Sequence, residues 1–337
     1  MQTWVALSDR DGVLGGHRPD GLMAQGKFVL EFDLPLTGAV VLLDYQTTEN
    51  WPRAFSVFVD EAAGVVVLHR QGNRLIRHVL PGPLGLGGDG AGRIVFGWNG
   101  PAKGWALSLE QPGTGTPRAT RGRDPMPMLL ADLLAICRGA AGSKRHPAVL
   151  WFGATLGDTP PERAPWVGLH TRIDTPDGPR LANTLRPGDL VMTASGLTCP
   201  IASVRRMDLP SRGSFSPVLL RAPYFGAISD LLVASDQLVL VSGAEVEYLF
   251  GDENVLIEAR HLLDGRAALL DMRRAVTSCL SFDLDWPELL RADGCFLLSH
   301  HHGPVHTQPR APFRVLHGYE VIPLLASLGR GFGRNAA

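Results

Sequence analysis

With 337 residues and 45% hydrophobic content, the chain carries enough apolar side chain for two domains that each bury a core. Thirty-two basic against 33 acidic residues leave a formal charge of -1, so no global field draws in nucleic acid or an anionic membrane, and neither is expected as a partner. The four cysteines, Cys137, Cys199, Cys279 and Cys295, lack close pairing and read as reduced thiols rather than a disulfide framework.

The amino terminus, MQTWVALSDRDG, places acidic residues where a signal peptide needs a cationic segment followed by an apolar run. No stretch approaches the about eighteen uninterrupted apolar residues of a membrane span. The expected localisation is therefore cytoplasmic, or exported without a cleaved signal peptide. From Lys27 to about Leu109 short apolar runs alternate with turn residues: FVLEFDL, AVVLLDY, FSVFVD, GVVVLHR, RLIRHVL, GRIVFGW and GWALSLE. Several alternate with period two, and the tight Gly/Pro/Asn separators make neighbours in sequence antiparallel neighbours in space. The expectation is a β-sandwich of the lectin-like or laminin-G-like kind over residues 1-158.

Gln111 to Pro127 reads as a Gly/Pro/Thr/Arg loop, with Arg118, Arg121 and Arg123 on a mobile segment. Met128, Leu129, Leu130, Leu133, Leu134 and Cys137 then recur at helical spacing, after Asp124 and Pro125 as start signals. A closing strand follows in HPAVLWFGATLGD, and residues 159-166 form a linker. The second half is strand-rich again: LVMTAS, PIASVRRM, SPVLLRA, DLLVA, LVLVSG, YLFG, VLIEARHLL, LLDM and CFLLSH, closing with a helix in RVLHGYEVIPLLASLGR. No strand-helix-strand alternation of a parallel sheet is present, so the whole chain is expected to be mainly β.

Four phrases of the second half carry a resemblance. Thr171-Arg172-Ile173 runs into Thr175-Pro176-Asp177-Gly178 and then Leu185-Arg186-Pro187-Gly188-Asp189-Leu190-Val191. Leu231-Leu232-Val233 precedes Ser235 and Val239-Leu240-Val241-Ser242-Gly243. Leu249-Phe250-Gly251 leads through Val255-Leu256-Ile257 to Ala259-Arg260-His261-Leu262-Leu263, and Gly318-Tyr319-Glu320 opens the last helix. In this order and at these distances the segment resembles the Hint domain shared by hedgehog proteins and inteins, in the branch common in bacteria of the Rhodobacter type. The resemblance implies an all-β Hint domain at 167-326, with 327-337 as a carboxy-terminal tail.

It also implies a chemistry. A thiol or hydroxyl on the first residue attacks the carbonyl just before it, while a Ser or Thr and a His three positions later polarise that peptide and protonate the leaving amine. Counted back from Thr171, the nucleophile position holds Trp166, and an indole can neither attack a carbonyl nor leave. Ser235 stands at the hydroxyl position, but Leu238 occupies the histidine position. Cys279 falls where many relatives have a later histidine. The resemblance thus implies a remnant site at Ser235 and Cys279, with self-cleavage or splicing impaired or absent. The rivals are active autoproteolysis through an unorthodox nucleophile such as Thr171 or Cys279, and a module that binds a glycan or an unidentified protein partner.

Other clusters read blandly. His300-His301-His302 with His306 and Cys295 could supply zinc ligands, but consecutive residues on an extended strand point to opposite sides, and the flanking GPV and Gln-Pro-Arg favour a solvated loop. No metal and no cofactor are expected. Trp4, Trp51, Trp98, Trp105 and Trp151 could stack on sugars if exposed, or fill a core if not. Glu245 and Glu247 read as solvated strand residues, and Ser235, Asp236 and His261 lack the nucleophile elbow of a Ser-His-Asp hydrolase.

Overall fold

A computed structural model describes residues 4–9, 21–86, 88–112, 117–156, 165–299 and 311–332. The chain divides into two compact units, one of Gln2–Glu162 with Arg212–Ser214, the other of Arg163–Ser211 with Phe215–Ala337. Both are mainly β. No helix among the described residues is long and apolar enough to cross a membrane.

The first unit is a sandwich of two antiparallel sheets. One sheet has six strands in the order Ala6–Leu7, Val149–Thr155, Gln25–Leu34, Gly90–Asn99, Gly104–Glu110 and Arg118–Arg123. The other has five, in the order Ser143–Arg145, Val40–Thr47, Arg53–Asp60, Gly64–Gln71 and Arg74–Pro81. Period-two patterning sends Phe55, Val57 and Val59 from the second sheet against Phe28, Leu30, Ile94 and Phe96 from the first, which makes one continuous core. Phe28 and Phe55 meet edge to face at 5.0 Å between ring centres.

Two features of this unit depart from the sequence reading, and a third decides between its alternatives for three tryptophans. Arg118–Arg123 is not a loop but an edge strand, paired residue for residue with Gly104–Glu110. Its exposed arginines give no apolar alternation to read, yet charge on an edge strand is what discourages a further strand from adding there. The helix spans Leu130–Arg138, later than Asp124 and Pro125 suggest, because Met128–Leu129 first pairs with Leu22–Met23. It ends where Gly139 turns left-handed and Ala140 N donates to Ala135 O at 2.9 Å. Trp4, Trp98 and Trp151 are core residues at 1 to 2% exposure, so they offer no stacking platform to a sugar.

Charge is buried inside this core. Asp132 of the helix accepts the Tyr45 hydroxyl at 2.8 Å and Arg53 Nε at 2.9 Å, with both ionic side chains 6% exposed. Burial, reinforced by the hydrogen bond to Asp132, pushes the Tyr45 hydroxyl up to about 12. His78 is fully buried, with its ring 4.6 Å from both Phe96 and Trp105, and neither ring nitrogen has a hydrogen-bond partner among the described residues.

The second unit is built on two further sheets. One runs Ser203–Pro210, Val276–Asp283, Val167–Gly168, Leu231–Val233, Val218–Leu220 and Ala268–Leu270; the other runs Gly178–Leu181, Arg172–Thr175, Leu289–Ala292, Cys295–Leu298, Leu238–Ser242, Asn254–Glu258 and Arg314–Val315. Val167, Val233, Val239, Ile257 and Leu280 belong to one core between them. YLFG, read as a strand, is instead the end of the helix Ala244–Phe250, whose first turn holds Glu245 and Glu247. Gly251 in a left-handed conformation stops it, its N–H bonding Glu247 O at 2.9 Å. The last helix is Gly318–Phe332, and Glu320 anchors its start by accepting His317 N at 2.8 Å and Arg314 Nη2 at 2.6 Å.

Candidate functional site

The turn phrases of the second unit set its scaffold. Pro176 and Asp177 form a two-residue connection between Arg172–Thr175 and Gly178–Leu181, and the Thr175 hydroxyl donates to Gly178 O at 2.6 Å. Asp189 closes the next turn by accepting Arg186 N at 2.8 Å, which holds its carboxyl below the usual carboxylate range. Asp293 then ties the hairpin down, accepting Arg172 N and the Ser229 hydroxyl, each at 2.8 Å.

That scaffold delivers Trp166 to the middle of a sheet. Val167–Gly168 is flanked on one side by Leu231–Val233 and on the other by Val276–Asp283, with Val167 opposite both Val233 and Leu280 and Gly168 opposite Cys279. Ala234 N donates to Trp166 O at 3.2 Å. The chain just before Val167 is therefore held against the segment that leads into Ser235. Backbone pairing thus brings together the segments around Trp166, Ser235 and Cys279, which are far apart in sequence.

The side chains there are poorly equipped for acyl transfer. Trp166 is buried at 3% exposure and supplies neither a thiol nor a hydroxyl. Cys279 is fully buried and donates its thiol to Met207 O at 3.6 Å; burial pushes its pKa well up, and the nearby Asp208 carboxylate pushes it further, so the nucleophilic thiolate is suppressed. Thr171 is buried at 5% exposure in the turn after the strand, its N–H bonding Gly168 O at 3.2 Å. Ser235 O accepts Arg260 N at 2.8 Å, and Gln237 O accepts Ala259 N at 2.9 Å, so the turn carrying Ser235 is clamped by the Ala259–Leu262 helical turn.

Leu238 begins the strand Leu238–Ser242 and sits in register opposite Glu258. Glu258 pairs with Arg260 and with His261 Nε2, the latter at 3.5 Å. Desolvation and the Arg260 charge together lower the His261 pKa against the opposing pull of Glu258. His261 thus has the Glu258 carboxylate as its partner.

Sequence reasoning missed Ser281. Strand alternation puts it on the face of Cys279, one residue beyond Leu280, which pairs with Val167. Its hydroxyl is 3% exposed and has no hydrogen-bond partner among the described residues. Only the strand pairing reveals it, because nothing in TSCLSFD distinguishes this serine from its neighbours.

Residues 169–304 match the family model of the Hint domain. The second unit contains a Hint domain. The match spans less than half of the chain and leaves the sandwich outside it. No curated protein matches the chain in sequence. Among solved structures, the chain is similar to the MchDnaB-1 intein at 13% identity and a TM-score of 0.26, over 40% of this chain and 99% of that one. It is similar to the CBM40 of the Ruminococcus gnavus IT-sialidase at 16% identity and a TM-score of 0.25, over 40% of this chain and 64% of that one. It is also similar to the enzymatically active domain of tailspike protein 2 of bacteriophage CBA120, at 14% identity and a TM-score of 0.28, over 45% of this chain and 24% of that one.

His300, His301, His302 and His306 lie outside the described residues. Among the described residues no cluster of three or more His, Cys, Asp or Glu side chains converges as a metal site would require.

Proposed function

We propose that the Hint domain of this chain is a scaffold of the bacterial branch whose self-cleaving activity has been lost or severely impaired. One observation carries the reading: the residue that leads into Val167–Gly168, where such chemistry would start, is the buried Trp166. The losses compound. Acyl transfer needs a nucleophile, an oxyanion donor and a proton donor to the leaving amine. Here the first is an indole, and the last is the hydrocarbon of Leu238. Ser235 and Cys279 are what remains of the site.

The rival reading makes Thr171 or Cys279 the nucleophile. Thr171→Ala and Cys279→Ala should each leave a single full-length band on a denaturing gel after a day at neutral pH, as in the parent chain. A fragment present in the parent and missing from either variant gives the rival its nucleophile.

A second reading concerns the sandwich, and a depression of about 750 Å³ favours it. Lys27, Gly97, Ala106 and Arg121 stand in one cross-strand row, so two cations flank the small residues Gly97 and Ala106. Gln25 and Asn99 add amides from the adjacent row, and none of the lining residues is acidic. The sandwich then binds an acidic saccharide, held by charge and hydrogen bonds. Arg121→Glu should weaken retention of the chain on a polygalacturonate gel by roughly tenfold, at 25 mM more than at 500 mM salt as an ionic contact requires. Equal mobility of parent and variant at both salts contradicts this reading.

A further inference from the structure

The Hint domain also contains a cavity of about 290 Å³ that shares no lining residue with the remnant site. Phe225, Phe296, Leu240 and Leu325 line it, and each is only half-buried, so apolar surface is turned into the space instead of being covered. Such a volume stands at the lower edge of the roughly 300–1,000 Å³ typical of small-molecule pockets, which suits one or two rings and excludes a dinucleotide.

The walls are built at a local conformational cost. Phe225 adopts φ 57°, ψ 24°, a left-handed conformation that a bulky aromatic residue rarely takes. It is fixed there by the Cys295 thiol, which donates to Phe225 O at 3.3 Å. Gly294, at φ +86°, lets this turn approach: a Cβ there would stand 2.4 Å from Gly226 O. Strain kept in place by surrounding contacts is characteristic of ligand clamps.

The charge at the mouth selects among apolar ligands. Asp264 lines the same cavity, and its Oδ1 accepts the N–H groups of Arg266, Ala267 and Ala268 at 2.8, 2.6 and 3.1 Å, which directs that oxygen at the turn backbone. Arg266 is exposed, lies 5.7 Å from the Tyr224 ring centre and forms no ion pair among the described residues. We propose that this cavity is a binding site for a small aromatic or alicyclic acid, its ring system between Phe225, Phe296 and Leu240 and its anionic group on the Arg266 guanidinium.

The site does not depend on the scaffold reading, and a chain that severs itself would overturn that reading while leaving this one intact. Titration of the full chain with 2-naphthoate and with the uncharged 2-acetylnaphthalene, followed by calorimetry, tests it. Both should bind, the acid more tightly. Arg266→Gln, at an exposed position, should weaken 2-naphthoate roughly tenfold and leave the ketone unchanged. Leu240→Trp should abolish both by filling the space, with its thermal melting unchanged from the parent as the control for an intact fold; unchanged ketone binding is that control for Arg266→Gln. Absence of binding of either compound to the parent chain at millimolar concentration overturns the site, and unchanged 2-naphthoate affinity in Arg266→Gln overturns its anion specificity.

Discussion

Between pH 7 and pH 4 the sandwich should lose several kcal/mol of stability, because His69 and His78 are buried as neutral imidazoles. Desolvation lowers both to about 4, and for His69 the neighbouring His78 adds to the effect. In the unfolded chain each returns to about 6.5. Since the folded values lie below the unfolded ones, the unfolded state binds more protons throughout this window. Their stabilisation is complete above about pH 6.5 and is lost as the pH falls towards 4, at about 3 kcal/mol per histidine by pH 4. Against a typical total of roughly 5–15 kcal/mol, that is enough to unfold the unit in mild acid.

Denaturant unfolding at pH 7, 5.5 and 4, followed by the fluorescence of the buried Trp98 and Trp151, measures this loss. The variant His78→Phe sharpens it. A phenyl ring keeps the contacts with Phe96 and Trp105 and removes two polar atoms without hydrogen-bond partners, so stability at pH 7 should rise by about 1 kcal/mol. The same variant should lose about half of the acid sensitivity. A variant as acid-sensitive as the parent assigns the effect to other groups.

The second large effect is expected at Asp132. Asp132→Ala leaves the Arg53 guanidinium buried without its carboxylate and the Tyr45 hydroxyl without its acceptor, at a cost of about 3–5 kcal/mol. Removing both charges is a different experiment, since the pair's attraction largely offsets its desolvation. Arg53→Leu with Asp132→Leu should cost far less than Asp132→Ala alone. If the double variant is the less stable of the two, the ion pair itself, and not the stranded cation, is what stabilises this end of the sandwich. Thermal melting read by the same tryptophans decides between them.

These burials explain what the amino-acid sequence discloses and what it hides. Strands such as Arg53–Asp60 and Gly104–Glu110 are legible because one face is apolar, and period two records it. Arg118–Arg123 is illegible for the opposite reason: an edge strand paired on one side need bury no side chain, and its register comes from Gly104–Glu110. Tyr248 to Gly251 fails as a strand because local capping at Gly243 and Gly251 outweighs the aromatic residues' strand preference. His78 and Asp132 look like surface residues in a linear reading, and only long-range packing puts them inside.

The candidate site divides in the same way. The turn phrases around Asp177 and Asp189 are local, so they can be read directly, and counting from them reaches Trp166. Ser281 is brought beside the Val167–Leu280 pair by strand pairing across more than a hundred residues, and the Phe225 cavity depends on a backbone conformation that no residue type announces.

The intact mass of the purified chain, followed over one day at pH 7 with and without dithiothreitol or hydroxylamine, bears most directly on the scaffold reading. A thioester or ester at residue 166 would be captured by either reagent and would release a fragment ending at Pro165. One species at the full-length mass under all three conditions is the expected result. A fragment ending at Pro165, growing with time and accelerated by hydroxylamine, would show that the domain still performs the chemistry for which Trp166 provides no atom.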